Sequence, residues 1–285
     1  MLRFAAGMQI TIITPVFNGA QYIRQCLRNV ISQNCDSVEH LIMDGASTDG
    51  TQEIVNEIAV YHQHIRLISE KDKGQSDAMN KGIAEAKGEI ISFLNVDDYY
   101  EPGVFNRILE VFKNLPEPSF VCGNLNIWNA DGSLKHFNRP DKISLPELVS
   151  NLYEWPYNPT AYFYYKSLHE KTGPYNVDNH LCMDFEFILE AAKKINLIHV
   201  DEVWGNFVIV ENSKTQQFHS NEAQKAENDG DAIRQRFIAE LGDADLKKLN
   251  EIIASKSSIK VSKDQTFGSV IRKFKSKIKQ IISQQ

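Results

Sequence analysis

A chain of 285 residues, 42% hydrophobic and 24% charged, has the composition of a soluble globular protein and the length of one large α/β domain with a modest appendage. Its formal net charge of −6 is uneven: residues 266–285 carry five basic residues and no acid, which leaves −11 on the remainder and argues against nucleic acid as a partner. No apolar run approaches the roughly 18 residues of a membrane span, residues 1–8 are too short for a signal peptide, and Cys26, Cys35, Cys122 and Cys182 lack C-x-x-C spacing, so a cytoplasmic chain with reduced thiols is expected.

From the N-terminus, strand and helix alternate. Residues 9–15 (Q-I-T-I-I-T-P) are a β-rich apolar run, and 20–32 follow with helical spacing at Tyr22, Ile23, Cys26, Leu27, Val30 and Ile31. The pattern predicts further strands at 39–44, 65–69 and 89–95, with helices at 48–61 and 76–86 between them. Short, apolar, β-branched runs separated by helices read as parallel strands buried on both faces of an open doubly wound sheet. After Asn95 the rhythm changes to a helix at 102–114, a strand at 119–127 and a hairpin turn at Asp131-Gly132. Residues 140–182 are aromatic and proline-rich, with no clear period. A helix at 184–194, strands at 197–201 and 206–210, and polar helices at 220–241 and 243–255 complete the body, and 256–265 reads as a linker.

In open α/β sheets, ligands sit at the carboxyl ends of the strands. The first strand ends in Pro15-Val16-Phe17-Asn18-Gly19, the second in Asp44-Gly45-Ala46-Ser47-Thr48-Asp49-Gly50, and the fourth in Asn95-Val96-Asp97-Asp98. Asp44 is suited to accept a hydrogen bond from a base and Phe17 to pack beside it. Ser47 and Asp49 serve equally well as turn and cap residues. The chain lacks G-x-G-x-x-G and G-x-x-x-x-G-K-[ST], which argues against a dinucleotide fold or a P-loop. Adjacent carboxylates such as Asp97 and Asp98 repel unless a cation or donor lies beside them, and Mg²⁺ or Mn²⁺ takes one or two such ligands together with phosphates and water. The competing reading is a solvated loop pair or a helix cap. In the 72–82 segment, Lys73 could neutralise phosphate and Asp77 face a sugar, whereas Lys81 reads as a surface residue.

Residues 10–18 (I-T-I-I-T-P-V-F-N), 41–51 (L-I-M-D-G-A-S-T-D-G-T) and 70–103, which contains D-K-G-Q-S-D and L-N-V-D-D, resemble in order and spacing the family 2 glycosyltransferases, and the likeness covers residues 8–215. The resemblance implies a GT-A-type α/β fold: an open, mostly parallel doubly wound sheet with helices on both faces, followed here by C-terminal helices. It implies a nucleoside-diphosphate sugar donor, a UDP-sugar foremost, and a divalent metal, Mn²⁺ or Mg²⁺. It assigns base and ribose contacts to Pro15, Phe17 and Asp44 and a donor role to Asp77. Asp97 and Asp98 stand at the D-x-D position, Asp97 toward the donor and Asp98 as direct metal ligand. Asn95 stands where many members have a further Asp.

The resemblance also gives Asp184 the role of catalytic base, with Met183 replacing an acidic neighbour and Glu186 as the alternative. Asp184 could also be merely the N-cap of its helix. Lys214, in N-S-K-T, matches a loop near the donor diphosphate, and His219 is a weaker third metal ligand. The implied reaction is inverting, metal-dependent, hexosyltransferase-type transfer to a saccharide or lipid-linked acceptor, in cell-surface polysaccharide or glycolipid synthesis. The aromatic residues 155–165 would shape the acceptor side. Two other classes stay open: a catalytically silent nucleotide-sugar-binding module, and a sugar nucleotidyltransferase, whose basic phosphate loop the Pro15–Gly19 segment lacks. Residues 8–255 are expected as the transferase domain. Residues 266–285, with Phe267, Ile271, Phe274 and Ile278 on one face and lysines on the other, are expected as a basic amphipathic helix that lies on anionic membrane or docks on the acidic body.

Overall fold

The computed structural model describes residues 9–179, 181–210 and 221–258. Its first half is a run of βα units: β1 (Ile10–Val16), α1 (Ala20–Ile31), β2 (Val38–Asp44), α2 (Thr51–Ala59), β3 (Ile65–Ser69), α3 (Gln75–Glu85) and β4 (Ile90–Phe93). These four strands pair in parallel in the order β3-β2-β1-β4. Every residue of β2 and all but Pro15 of β1 are buried, because helices cover both faces and leave no polar side to the strands. Ile23, Cys26, Leu27 and Val30 recur at helical spacing and seat α1 on one face. On the other face, α3 packs so close that a Cβ at Gly82 would lie 2.5 Å from Ile13 Cγ2, which fixes glycine there.

The second half comprises β5 (Tyr99–Tyr100), α4 (Val104–Phe112), β6 (Phe120–Trp128), β7 (Leu134–Asn138), α5 (Leu145–Val149), β8 (Tyr162–Tyr165), α6 (His169–Thr172), α7 (Met183–Lys194), β9 (Ile198–Val208), α8 (Asn221–Ala239) and α9 (Asp243–Ser258). The sheet continues as β4-β8-β6-β9-β5, with β7 hairpinned onto β6. β8 is antiparallel to both β4 and β6, so the parallel order breaks at the middle of the sheet, while β6 and β9 run parallel again. Of the described ladders four are parallel and four antiparallel, the antiparallel ones all lying beyond β4.

Three local expectations change. β8 arises inside the stretch that has no periodicity, because Tyr162 and Tyr164 fill the core on one face while Phe163 and Tyr165 fill it on the other. The two strands expected at 197–201 and 206–210 are one, since Val203 and Gly205 stay in register with Asn124 and Leu125 through irregularities in the β6 ladder. Residues 256–258, expected in a linker, belong to α9. The polar helices α8 and α9 are anchored by Ile233, Phe237, Ile238, Leu249 and Ile253, which join the core beside α7. Among the described residues no helix is long and apolar enough to cross a membrane. Lys214, His219 and 266–285 lie outside the described residues.

Candidate active site

The carboxyl ends of β1 and β4 open onto a cavity of about 740 Å³. Among the residues that line it are Pro15, Phe17, Asp72, Gln75, Asn95, Asp97, Tyr157, Asn158, Leu181, Met183, Asp184 and Phe207. Phe17 stands on the rim with 66% of its surface exposed. The loop that carries it is stapled to the turn after β2: Asn18 N–H donates to Ser47 Oγ (2.8 Å), Gly19 N–H to Thr51 Oγ1 (2.9 Å) and Ala20 N–H to Asp49 (2.9 Å). Ser47 and Asp49 thus build the turn.

Asp44 is set back from the cavity. It is 2% exposed and accepts from Ser69 Oγ (2.6 Å) and Ser47 N–H (3.1 Å). Asp77 likewise lies off the cavity wall, where it accepts from Lys73 N–H (3.0 Å) and pairs with the Lys81 ammonium (3.3 Å). Sequence reasoning missed Asp72, which lines the cavity and takes Gly74 N–H (2.8 Å). Its only signal was its place at the head of the D-K-G-Q-S-D segment.

The carboxylate pair is split between wall and interior. Asp97 faces the cavity; Asp98, expected as the direct metal ligand, is 3% exposed and lies behind it. Asp98 Oδ2 accepts from Asn158 Nδ2 (2.7 Å) and Asn95 Nδ2 (2.9 Å), and Oδ1 accepts from Val208 N–H (3.0 Å). Asn95 is itself gripped by Gln75 (3.1 Å), so an amide stands where it can donate to Asp98, which an aspartate could not do. Burial, then the adjacent charge of Asp97, push the Asp98 carboxyl up to about 8 against the pull of those donors. Burial also raises Asp97. Two carboxylates with unbalanced charge at a cavity wall suit a divalent cation shared with a phosphorylated ligand. Among the described residues no group of three or more His, Cys, Asp or Glu forms a protein-only cage, and the described cavity wall has three aspartates and no Lys or Arg.

Asp184, the second residue of α7, lines the cavity and accepts from Tyr162 Oη at 2.9 Å. Glu186 points elsewhere, into a smaller depression of about 300 Å³. Burial raises its carboxyl, but hydrogen bonds from Asn179 (2.8 Å) and Arg236 (2.7 Å) outweigh that and hold it below the usual range. Met183, in place of an acid, is buried with its sulfur 2.7 Å from Ser76 Oγ. The structure thus gathers Pro15, Phe17, Asp97 and Asp184 around one cavity, with Asp98 and Asp44 behind its wall and Asp77 outside it.

The family model described as Glycosyl transferase family 2 matches residues 11–171. A chondroitin synthase of Pasteurella multocida is 31% identical over 150 residues, covering 52% of this chain and 14% of that protein. The chain thus spans only a small part of that relative's length. The fold is similar to that of Staphylococcus aureus TarS 1–349 in complex with UDP-GlcNAc (TM-score 0.61, 16% identity, 82% of this chain and 71% of that one). It is also similar to the mannosyltransferase PcManGT of Pyrobaculum calidifontis in complex with GDP-Man and Mn²⁺ (TM-score 0.57, 17% identity, 95% and 86%).

Proposed function

Since the chain belongs to glycosyl transferase family 2, we propose that it transfers a sugar from a nucleoside-diphosphate donor to an acceptor hydroxyl with inversion at the anomeric carbon. The observation that carries this reading is the convergence of Asp97 and Asp184 on one cavity that also holds the exposed Phe17 at its rim. Phe17 and Pro15 would flank the base, and Asp44 would act by holding the Ser47 turn behind them. Asp97 on the wall, backed by Asp98, would hold Mn²⁺ or Mg²⁺. When bound, that ion supplies positive charge for the departing diphosphate, which the described wall does not. Lys214, whose sequence context resembles the family's diphosphate loop, is proposed to add a second positive group.

Asp184 takes the proton of the acceptor hydroxyl as its oxygen forms the new bond to C1. The C1–O bond to the diphosphate breaks with its electron pair, and the nucleoside diphosphate leaves on the opposite side. A single displacement, with Asp184 as base for the acceptor, inverts the centre. UDP-sugars are the first donors to test, because TarS holds UDP-GlcNAc. A saccharide or lipid-linked acceptor, a role in envelope polysaccharide, and peripheral attachment to the cytoplasmic membrane face through basic residues 266–285 complete the proposal. Vesicle co-sedimentation with and without that segment tests the attachment.

The central experiment is a melting-temperature screen of UDP-, GDP- and dTDP-sugars with Mn²⁺, followed by NMR of the product formed with the stabilising donor. A donor that raises the midpoint and yields an inverted anomer is expected. Retention of configuration refutes the displacement by Asp184, and absence of any stabilising donor refutes the transferase reading.

A further inference from the structure

Behind Asp184 lies a buried row of hydroxyl groups that the reaction above does not use. Tyr162 and Tyr164, two residues apart on β8, point to the same side of the sheet, and Tyr175 reaches them from the loop before α7. All three are at most 2% exposed. Tyr162 donates to Asp184 at 2.9 Å, Tyr175 Oη lies 3.3 Å from Tyr164 Oη, and Tyr164 Oη is 3.0 Å from His169 Nε2.

The row has one consistent direction. His169 Nδ1 is 2.8 Å from the Gly173 carbonyl, which can only accept, so the ring proton sits on Nδ1. Burial lowers the pKa of His169 and keeps it neutral, which leaves Nε2 as an acceptor for the Tyr164 proton. Tyr164 then accepts from Tyr175. Tyr162, beside them, donates its own proton to Asp184. Each hydroxyl is oriented by the next, and the rings are fixed by stacking: Tyr162 on Phe120 (5.1 Å between centroids) and Tyr175 on Phe187 (4.6 Å).

We propose that Tyr162 is the positioning residue of Asp184, and that Tyr175, Tyr164 and His169 keep its hydroxyl aimed at that carboxylate. The proposal rests on the reading of Asp184 as the base. A donor fixed to the middle strand of the sheet holds the Asp184 carboxylate in one orientation and favours its charged form. Among the described residues, the ionisable groups around Asp184 include Tyr164 and Tyr175 behind it, Cys182 at the cap of its helix and Glu186 on it, and Asp72 and Asp97 on the same cavity, with Arg234 of α8 placed 4.7 Å from the neighbouring Phe185 ring.

The test is Tyr162→Phe, which keeps the ring and removes only the hydroxyl. The expected result is a fall in kcat of roughly ten-fold, the loss associated with one hydrogen bond to a charged group. Donor KM and UDP–Mn²⁺ affinity should stay unchanged, and the acid limb of the pH profile should move to higher pH as Asp184 becomes more basic. Wild-type kcat and an unmoved acid limb, even with a lowered melting temperature, would reduce the hydroxyl to packing and overturn the proposal. Tyr175→Phe, one hydroxyl further away, should shift both readouts in the same direction by roughly two-fold; it carries the test if Tyr162→Phe does not fold, and no shift in it overturns the proposal. Asp184→Asn separates the two levels: if it keeps full turnover, the base assignment falls and Tyr162 with it; if it is inactive while Tyr162→Phe is normal, only the present inference falls.

Discussion

In the parallel half of the sheet, each polar group of the site stands on the loop that directly follows its own strand, and its partners come from that loop or the adjacent βα unit. Asp44 is held by Ser47 three residues on, and Asp72 by Gly74 two residues on. The half beyond β4 works differently. Asp98 depends on Asn158 and Val208, 60 and 110 residues away, and Asp184 depends on Tyr162 from a strand that runs against its neighbours. The first half builds a binding rim that tolerates separate adjustment of its parts. The second suspends the reactive carboxylates between elements, so their geometry reports on the packing of the whole sheet.

The strongest way to separate these halves is Asp184→Asn. The substitution preserves shape and removes the base, so single-turnover rate should fall by roughly 10²- to 10⁴-fold while titration with UDP and Mn²⁺ gives wild-type affinity. Loss of donor affinity with turnover kept at saturation would instead place Asp184 among the binding residues.

Asp98→Ala should come next in size and damage both halves at once. It strands the amides of Asn95 and Asn158 and the Val208 N–H in a buried space, and the loop carrying Asp97 loses its anchor. A fall of about 100-fold in Mn²⁺-dependent donor affinity is expected by calorimetry, equivalent to about 2.7 kcal/mol. Wild-type turnover in EDTA would remove the cation from the reaction altogether.

The same contrast explains what could be read beforehand. β1 and β2 were legible because strands buried on both faces are short, apolar and punctuated by helices. Phe17 and Asp184, both singled out from motif order, line the same cavity. β8 was not legible: four consecutive buried aromatics satisfy neither a period of two nor one of 3.6. Nor could an Asp-Asp pair tell which carboxylate faces ligand, since that depends on Asn158 and Val208, far along the chain. Asp77, expected at the donor, lies off the cavity wall, where it takes a loop N–H and pairs with the Lys four residues on.

A smaller effect is expected on the rim. Phe17 is 66% exposed, so Phe17→Ala should leave the melting temperature of the free protein unchanged while weakening nucleotide binding roughly ten-fold through lost stacking. A drop in stability equal to the drop in affinity would show that the rim is not separable from the core.

The smallest effect concerns the carboxylate pair in the metal-free protein. Burial and the charge of Asp97 raise Asp98 to about 8, against about 3.9 in the unfolded chain. A carboxyl whose folded pKa is raised takes up its proton more readily when folded. Its contribution to stability is therefore complete below about pH 4 and is lost as pH rises through about 8. Buried histidines oppose this: His40 is lowered by burial to about 3, so its contribution is present above the unfolded value of about 6.5 and is lost as pH falls. The difference between wild type and Asp98→Asn isolates the carboxyl, because the amide imitates its neutral form at every pH. In EDTA, wild type should lose roughly 5 °C relative to Asp98→Asn between pH 5 and pH 8. Mn²⁺ with UDP should restore much of that loss in wild type alone, since the ligand restores balance to the charged pair. Parallel melting curves for the two proteins across this range would mean that Asp98 stays ionised without a cation, held by Asn95, Asn158 and Val208 alone.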